Sequence, residues 1–426
     1  MNFVEELKWR GMIHDLMPGI EEQFSKELTS AYIGFDPTGD SLHIGSLVQI
    51  MILIHLQNSG HKPIVLVGGA TGMVGDPSGK SSERNLLDEK TLNYNVSSIK
   101  SQLEKFLDFD CGEKSAELVN NYDWFKDFNI LNFIRDIGKH IPVNYMMSKE
   151  SVKTRLQTGM SFTEFTYQLI QGYDFYWLHK NKNCKVQLGG SDQWGNIVTG
   201  TELIRRKGGG DAFACTTPLI KKADGTKFGK TEDGNVWLDK NKTSPYKFYQ
   251  YWINSSDEDA SNYIRIFTLK SKSEIESIEQ EHVKAPHLRL LQKTLAEDIT
   301  IRVHSVEDLN SAITASSILF KKGPDAVDDL KSMSIQVFED VFEGVPKAEL
   351  KHSEINDGIT IIDALAGKTN FLKSQGEAKR ALKENSISVN KEKVNEEKIL
   401  NGTDLINNRY ILIQRGKKNY FVIYFN

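Results

Sequence analysis

The feature that most constrains this chain is the stretch 31–46, AYIGFDPTGDSLHIGS. Its first five residues form an apolar run typical of a short buried strand. The DPTGD that follows is typical of a turn, because Pro fixes φ and Gly permits positive φ. Apolar residues then recur three and four positions apart, which predicts a helix. His43 to Ser46 are therefore predicted at a helix N-terminus, where unpaired N–H groups and the positive end of the helix dipole bind anions.

Two further glycine-rich loops follow apolar runs. PIVLV at 63–67 leads into GGATGMVGDPSGK, and KVQL at 185–188 leads into GGSDQWGN. Strand, helix and strand within about forty residues form a βαβ unit. Ligands bind at the carboxyl ends of strands in open α/β sheets. The three junctions therefore predict an α/β fold with a doubly wound, Rossmann-like parallel sheet and a nucleotide at its rim. We predict this catalytic domain at 1–235, with a helical insertion at about 88–140.

A polar and aromatic stripe is predicted on the helix at 161–180, SFTEFTYQLIQGYDFYWLHK. The helix opens with the capping signature S-x-x-E. Tyr167, Gln171 and Asp174 are spaced i, i+4 and i+7, so they share one helix face. Such a stripe either lines a pocket or faces solvent, and the spacing alone leaves both open.

The segment 221–231, KKADGTKFGKT, is polar and dense in lysine, so we predict a mobile loop. Two of its lysines, together with a histidine and a glycine at a helix N-terminus, suit a polyphosphate. They would neutralise the charge that develops as pyrophosphate leaves. An ordinary solvated basic loop is the other interpretation.

Other nucleotide and hydrolase motifs are incomplete or missing from the sequence. GDPSGKS at 75–81 is one residue short of a P-loop, with Val74 in place of the first glycine, and GGATGMVG does not fit G-x-G-x-x-G. The sequence contains neither G-x-S-x-G nor H-E-x-x-H. These departures disfavour a P-loop kinase or ATPase and a dinucleotide oxidoreductase.

Cysteine usage and hydropathy predict a cytoplasmic protein. The three cysteines are far apart and form no C-x-x-C pair, which disfavours a disulfide framework and a thiolate metal site. The N-terminus lacks the apolar core of a signal peptide. The longest apolar run, 47–56, is too short to span a bilayer, so no membrane partner is expected.

The second half of the chain changes in character. A helical pattern predicts an α-helical domain at 236–325, followed by a polar linker at 326–352 and a small domain at 353–426. Residues 366–426 contain 12 Lys and Arg against 6 Asp and Glu, whereas the whole chain has a net charge of −4. A basic tail on an acidic body predicts a polyanionic partner for the tail. Within the tail we predict a helix at 376–385, a strand at 386–390 and a hairpin of 409–415 with 420–424.

Several of these segments resemble one known family. HIGS and KFGKT are similar to the two signatures of class I aminoacyl-tRNA synthetases. YIGFDPTGDSLHIG, GGATGMVGDPSGKSSER, FTEFTYQLIQGYDF and GGSDQWGN closely resemble bacterial tyrosyl-tRNA synthetases. The segment 376–390 is similar to the S4 RNA-binding module of that family, which implies a small α+β S4-like domain at the C-terminus.

The resemblance implies a tyrosine–tRNA ligase. Such an enzyme converts L-tyrosine and ATP to tyrosyl-adenylate and pyrophosphate, and then transfers the tyrosyl group to the 3′ end of tRNA(Tyr). It also implies a homodimer formed near 122–141 and Mg²⁺ accompanying ATP. No covalently bound cofactor, metal held by the protein or DNA partner is expected.

The resemblance assigns roles residue by residue. The tyrosine subsite would comprise Tyr32 and Asp174 at the phenol hydroxyl, Tyr167, Asp76 and Gln171 at the ammonium group, and Gln193 at the carboxylate. The ATP subsite would comprise Gly34, Asp36, Gly190 and Asp192 at the adenylate, Thr38 and His43 at the phosphates, and also Gly45. The pyrophosphate would be met by Lys80, Arg84, Lys227 and Lys230.

Two departures from the family pattern affect these roles. Ser46 replaces the second histidine of the first signature, and the second signature reads KFGKT rather than KMSKS. Serine still donates one hydrogen bond, and both lysines are kept, so activity is expected to survive. The competing hypotheses are a non-enzymatic RNA-binding protein with a synthetase-like body and a small-molecule ATPase or kinase.

Overall fold

The computed structural model describes residues 2–78, 87–157, 159–226, 228–231, 234–318, 321, 324–416 and 419–426. The helices are α1 Phe3–Trp9, α2 Ile20–Lys26, α3 Ile44–Asn58, α4 Glu89–Leu103, α5 Tyr122–Phe125, α6 Ile130–Asp136, α7 Val143–Met147, α8 Glu150–Leu156, α9 Phe162–Lys182, α10 Trp194–Arg206, α11 Pro245–Ile253, α12 Asp257–Phe267, α13 Lys272–Lys284, α14 Leu290–Val303, α15 Val306–Ile318, α16 Pro324–Ser332, α17 Ile335–Val341, α18 His352–Asn356 and α19 Gln375–Lys383. The strands are β1 Asp15–Leu16, β2 Ser30–Phe35, β3 Lys62–Val67, β4 Glu117–Asn120, β5 Cys184–Gly190, β6 Phe213–Thr217, β7 Lys230–Thr231, β8 Gly234–Asn235, β9 Lys347–Leu350, β10 Ile359–Thr360, β11 Ile387–Val389, β12 Glu392–Lys393, β13 Ile399–Leu400, β14 Tyr410–Arg415 and β15 Asn419–Phe425. Short 3₁₀ or π turns lie at Thr71–Met73, Gly112–Lys114, Gly138–His140, Ser191–Gln193, Pro286–Leu288, Asp363–Gly367 and Gly402–Asp404.

The chain folds as two compact units. The first comprises Met1–Asp239 with Ser255–Leu295, and the second comprises Lys240–Asn254 with Ala296–Asn426. The segment 236–325, predicted as a separate helical domain, is thus divided between the two units, and its standing as a domain stays a prediction. Within the described ranges, no helix combines the length and apolarity needed to cross a membrane.

The first unit is built on a six-stranded sheet in the order β1-β6-β5-β2-β3-β4. Neighbours from β6 to β4 pair in parallel, and β1 pairs antiparallel with β6 at one edge. The chain runs from β2 through β3 to β4 on one side, and from β5 to β6 on the other. The strand order therefore reverses between β2 and β5, and ligands bind at such a switch point. The predicted Rossmann-like parallel sheet is confirmed.

Local sequence explains the elements that flank this switch point. Five of the six residues of β3 are buried, as expected for a parallel strand covered on both faces. The predicted capping box opens α9: the Ser161 side chain accepts from the backbone N–H of Glu164, and the Glu164 side chain accepts from that of Ser161. At its other end, Asn183 adopts the left-handed conformation, with φ 50°. These caps fix the start and end of the helix that carries the polar stripe.

The stretch 88–140, predicted as helical, contains a strand. The four residues of β4 pair in parallel with β3 and extend the sheet. ELVN is short and all four residues are only half buried, so it lacks the apolar run that identifies β3. Pairing with β3, rather than the local sequence pattern, makes this segment a strand.

The second unit contains a five-stranded sheet in the order β12-β11-β14-β15-β9. The structure forms the predicted tail elements as α19, β11 and the hairpin of β14 with β15. The stretch 326–352, predicted as a linker, instead contains α17 and β9, and β9 pairs in parallel with β15. Phe338 and Phe342 of this stretch are buried in an apolar cluster with Tyr410 and Leu412. The acidic residues of this stretch made it look polar in the sequence, so its apolar face was not predicted.

Candidate active site

A cavity of about 360 Å³ opens in the first unit at the carboxyl ends of β2 and β5. This volume lies in the range of small-molecule sites. The predicted site residues that line it are Tyr32, Gly34, Asp36, His43, Gly45, Asp76, Tyr167, Gln171, Asp174, Gly190, Asp192 and Gln193. The polar stripe of α9 thus faces this cavity.

The carboxyl group of Asp174 is fixed by two donors. Trp124 donates from Nε1 to Oδ1 at 2.9 Å, and Asn121 donates from Nδ2 to Oδ2 at 3.1 Å. Burial raises the pKa of Asp174 to about 8, although both donors lower it. The Trp124 ring also stacks on Trp177, with centroids 4.2 Å apart and an interplanar angle of 14°. The carboxyl is therefore held at one orientation before any ligand enters.

Tyr32 places a phenol hydroxyl in the same part of the cavity. The side chain is 1% exposed, and its Oη has no hydrogen-bond partner in the described part of the chain. Its ring packs against Phe175 at a centroid distance of 5.5 Å. Burial first, and then the neighbouring Asp174 carboxyl, raise the pKa of Tyr32 well above its usual value. A buried neutral hydroxyl left in this state is costly, and a polar group on a ligand would relieve that cost.

Asp36, just after β2, couples the first two glycine-rich loops to α9. Tyr167 donates from Oη to Oδ2 of Asp36 at 2.7 Å, and Thr71 donates from Oγ1 to Oδ1 at 2.7 Å. Burial first, and then nearby carboxylates, raise the pKa of Tyr167 well above its usual value. A Cβ at Gly68 would lie 2.3 Å from Oδ1 of Asp36. Only glycine therefore permits this approach of the two loops.

Asp76 joins the second glycine-rich loop to the third. Its Oδ2 accepts from Gln193 Nε2 at 2.7 Å, and its Oδ1 accepts from the backbone N–H of Ser78 at 2.9 Å. Asn196 Nδ2 lies 3.4 Å from the same Oδ1. A buried carboxylate that lines the cavity is suited to a cationic group such as an ammonium.

The two predicted signatures lie against each other. His43 caps α3, and its Nδ1 accepts from the backbone N–H of Gly45 at 3.0 Å. The backbone of Val236 accepts from Ile44 N–H at 3.0 Å and donates to the carbonyl of Gly229 at 3.1 Å. Gly229, in the lysine-rich segment, has φ +84°, and a Cβ there would lie 3.5 Å from the Gly45 nitrogen. The lysine-rich segment is thus anchored beside the helix N-terminus predicted to bind anions.

Other predicted residues are not brought to the cavity wall. Thr38 and Lys230 are exposed, and neither lines the cavity. Lys230 belongs to β7, which pairs with β8 where the sequence predicted only a loop. Ser46, the departure from the first signature, does line the cavity. Lys80, Arg84 and Lys227 lie outside the described residues.

The sequence-based assignment missed some residues that line the cavity and some that hydrogen-bond its lining residues. Thr71 and Asn196 lay unassigned within the quoted motifs, and Asn121 and Trp124 follow a strand that was not predicted. Gln187 interrupts the apolar run of β5, as Gln49 does that of α3, and both line the cavity. A polar residue within a buried apolar run was the signal that could have identified these two.

Both parts of the chain match known protein families. Residues 25–321 match the family described as tRNA synthetases class I (W and Y), and residues 337–423 match the Tyrosine–tRNA ligase SYY-like C-terminal domain. The Tyrosine–tRNA ligase of Flavobacterium johnsoniae is 63% identical over 428 residues, which cover 99% of each chain. The chain belongs to the tyrosine–tRNA ligase family of class I aminoacyl-tRNA synthetases.

Further relatives agree with this family membership. The Tyrosine–tRNA ligase of Cytophaga hutchinsonii is 59% identical over 428 residues, covering 100% of both chains. The crystal structure of a C-terminally truncated mitochondrial tyrosyl-tRNA synthetase of Aspergillus nidulans matches with a TM-score of 0.68 and 30% identity. The match covers 75% of this chain and 94% of that one. The family resemblance predicted from the motifs is confirmed.

Proposed function

We propose that the cavity activates L-tyrosine with ATP, giving tyrosyl-adenylate and pyrophosphate, and that the tyrosyl group then passes to the 3′ end of tRNA(Tyr). One observation carries this proposal. The buried hydroxyl of Tyr32 and the fixed carboxyl of Asp174 face one cavity, where they can receive a phenol hydroxyl. Family membership supports the same reaction.

The tyrosine subsite would select its substrate through unpaired polar groups. We assign the phenol hydroxyl to Tyr32 and Asp174. Phenylalanine would leave the buried Tyr32 hydroxyl without a partner and Asp174 with only its Trp124 and Asn121 donors, the kind of discrimination for which tyrosyl-tRNA synthetases are the standard example. The ammonium group is assigned to Asp76, Tyr167 and Gln171, and the carboxylate to Gln193.

The ATP subsite would lie at the strand ends and at the start of α3. The residues assigned to the adenylate are Gly34, Asp36, Gly190 and Asp192, those assigned to the phosphates are Thr38, His43 and Gly45, and those assigned to pyrophosphate are Lys80, Arg84, Lys227 and Lys230. Two observations support these assignments. His43, Gly45 and the four residues assigned to the adenylate line the cavity, and the lysine-rich segment is anchored beside Gly45.

The chemistry would need little from the protein beyond position and charge. The tyrosine carboxylate is itself the nucleophile at the α-phosphorus, so no general base is required. Fixed donors and cations would stabilise the pentacovalent phosphorus and the departing pyrophosphate. The described ranges gather no group of three His, Cys, Asp or Glu side chains suited to a metal ion. We propose that Mg²⁺ arrives on the ATP phosphates, as is usual for this ion.

The second unit would contact tRNA. Its last 61 residues have a net positive charge, and Lys383, Lys393 and Lys398 line one surface groove together with Glu396 and Glu397. Lysines that meet phosphates release condensed counterions, which gives affinity without reading sequence. This groove is our candidate for part of the tRNA contact.

A homodimer would cover an exposed apolar surface in the first unit. Ile130, Leu131 and Ile134 of α6 and Val143 of α7 are 64%, 71%, 56% and 58% exposed. Clustered exposed apolar side chains of this kind mark protein interfaces. Sedimentation equilibrium would test the proposal, and a monomer at micromolar concentration would contradict it. The three free cysteines fit the reducing cytoplasm that we propose as its location.

Amino-acid-dependent exchange between ATP and pyrophosphate tests the proposed reaction. We expect exchange with tyrosine and little with phenylalanine. Equal exchange with both would refute the specificity, whereas none with any amino acid would favour the RNA-binding alternative.

A further inference from the structure

The indole ring of Trp237 packs against the imidazole ring of His43. The two ring centroids lie 6.1 Å apart and the ring planes meet at 68°, an edge-to-face arrangement. His43 lines the cavity, whereas Trp237 is half buried and does not line it. Edge-to-face pairs favour one relative orientation, because the positive edge of one ring meets the negative face of the other. Trp237 can therefore orient the His43 ring from outside the cavity.

The backbone sets these two rings opposite each other. His43 and Trp237 are partners in an antiparallel bridge. Two backbone hydrogen bonds flank the pair: Ile44 N–H donates to the carbonyl of Val236 at 3.0 Å, and Leu238 N–H donates to that of Leu42 at 2.9 Å. A pair flanked in this way has Cα atoms only about 4.5 Å apart, and its side chains are in close contact. The contact between the rings is thus built into the backbone pairing.

Two further contacts restrict the His43 ring. Its Nδ1 accepts from the backbone N–H of Gly45 at 3.0 Å. Because Nδ1 is an acceptor, the neutral ring carries its proton on Nε2, the nitrogen that would donate to a phosphate oxygen. A Cβ at position 45 would lie 2.6 Å from Cε1 of this ring, so glycine is needed for the ring to fold over the start of α3. The ring is held by a hydrogen bond, by the absence of a neighbouring Cβ and by Trp237.

The segment that carries Trp237 also touches the second signature. Val236 N–H donates to the carbonyl of Gly229 at 3.1 Å. This contact is made by the backbone, which a substitution at position 237 retains, whereas the contact with His43 is made by the indole ring. A test must therefore separate an effect through His43 from an effect through the lysine-rich segment.

We propose that Trp237 is a positioning residue of the ATP subsite, which holds the His43 imidazole so that Nε2 donates to the phosphates of ATP. This inference rests on the proposed function. Donors that are oriented before the substrate enters lose no free energy to reorganisation, and residues packed behind them supply that orientation. Without the indole ring, the imidazole would rotate more freely and its hydrogen bond to ATP would weaken.

The test is a double-mutant cycle of Trp237→Leu and His43→Ala in the full-length protein. In ATP–pyrophosphate exchange, Trp237→Leu alone should lower kcat/KM for ATP about tenfold, the scale of one lost hydrogen bond. In the His43→Ala background it should cause no further loss, because the ring that it positions is gone. The KM for tyrosine should stay unchanged, since Trp237 does not line the cavity.

Trp9→Leu is the matched control for Trp237→Leu. Trp9 is also half buried in the first unit, lies beside the guanidinium groups of Arg10 and Arg265, and does not line the cavity. Its substitution should leave kcat/KM for ATP unchanged. Trp237→Phe, which keeps an aromatic ring, should restore most of the loss. If Trp237→Leu does not fold, Trp237→Met takes its place in the cycle, because methionine fills irregular gaps.

Three outcomes would overturn the inference. The first is unchanged kcat/KM for ATP in the folded Trp237 variant. The second is an equal loss from that substitution with and without the His43 ring, and the third is a loss of the same size in Trp9→Leu. Wild-type protein without tyrosine-dependent exchange would instead overturn the proposed function, and this inference with it.

Discussion

The indole Nε1 of Trp124 donates a 2.9 Å hydrogen bond to Oδ1 of Asp174, fifty positions later in the chain. Trp124→Phe removes this donor and keeps an aromatic ring. Loss of the donor should raise the pKa of Asp174 further and free its side chain to rotate. We expect the KM for tyrosine in exchange to rise roughly tenfold, with the KM for ATP unchanged.

Trp177→Phe is the matched control for Trp124→Phe. Trp177 stacks on Trp124, but it makes no hydrogen bond to Asp174 in the structure. The variant should therefore change tyrosine binding less. An equal effect of both substitutions would show that aromatic packing, rather than the hydrogen bond, is responsible.

The raised pKa of Asp174 predicts a pH-dependent stability. The pKa of this carboxyl is about 8 in the folded protein, against 3.8 for an ordinary aspartate, so between these values the folded state holds a proton that the unfolded chain releases. The free energy of unfolding should therefore fall as pH rises from about 4 to about 8, and level off above. The isosteric Asp174→Asn variant should lack this contribution.

Denaturant unfolding at intervals from pH 5 to pH 9 measures the difference between wild type and Asp174→Asn. Contributions from other titrating groups cancel in that difference. Parallel curves for the two proteins would show that Asp174 is ionised in the folded state throughout this range.

Lys230 is predicted to act on the departing pyrophosphate. Lys230→Ala should lower the rate of adenylate formation about a hundredfold, because a positioned cation at developing charge contributes on that scale. The KM for tyrosine should change little, since Lys230 does not line the cavity that contains the tyrosine subsite. Pre-steady-state formation of adenylate measures this rate.

Lys221→Ala is the control for Lys230→Ala. It removes one positive charge from the same lysine-rich segment, at a residue that is also exposed. If both variants lose the same activity, the segment acts only through its total charge.

Substitution of Lys393 tests the proposed tRNA contact. Lys393→Ala should weaken tRNA binding and lower the slope of log affinity against log salt by about one, the signature of a single lost phosphate contact. Tyrosine-dependent exchange should be unchanged. Glu392→Gln, at the adjacent residue of β12, is the control, and an unaltered salt slope in Lys393→Ala would remove this lysine from the contact.

The helix and strands that carry site residues were predicted from local sequence patterns. The capping box of α9, the i, i+4, i+7 face of Tyr167, Gln171 and Asp174, and the strand-to-glycine junctions all depend on residues close in sequence. The structure places the three side chains on one cavity wall. Short-range spacing was enough here because a single helix face carries the side chains.

What the sequence could not show depends on distant partners. Trp124 acquires its role only when β4 pairs with β3 and sets the following loop beside α9. The segment 326–352 could be recognised as folded only by its pairing with β15, over seventy residues later. Pairing over such separations leaves no periodic signal in either partner.

The pairing of β9 with β15 also sets an order of events during synthesis. β15 is hydrogen-bonded between β14 and β9, and it follows both in sequence. At 5–20 residues per second, the ribosome would need roughly 4–15 s to make β15 after β9. Throughout that interval β9 has an unpaired edge. Unpaired strand edges are the feature that chaperones bind and from which aggregation starts. Completion of this unit is therefore timed by its last strand, and a chain interrupted before β15 would carry that exposed edge for as long as it survived.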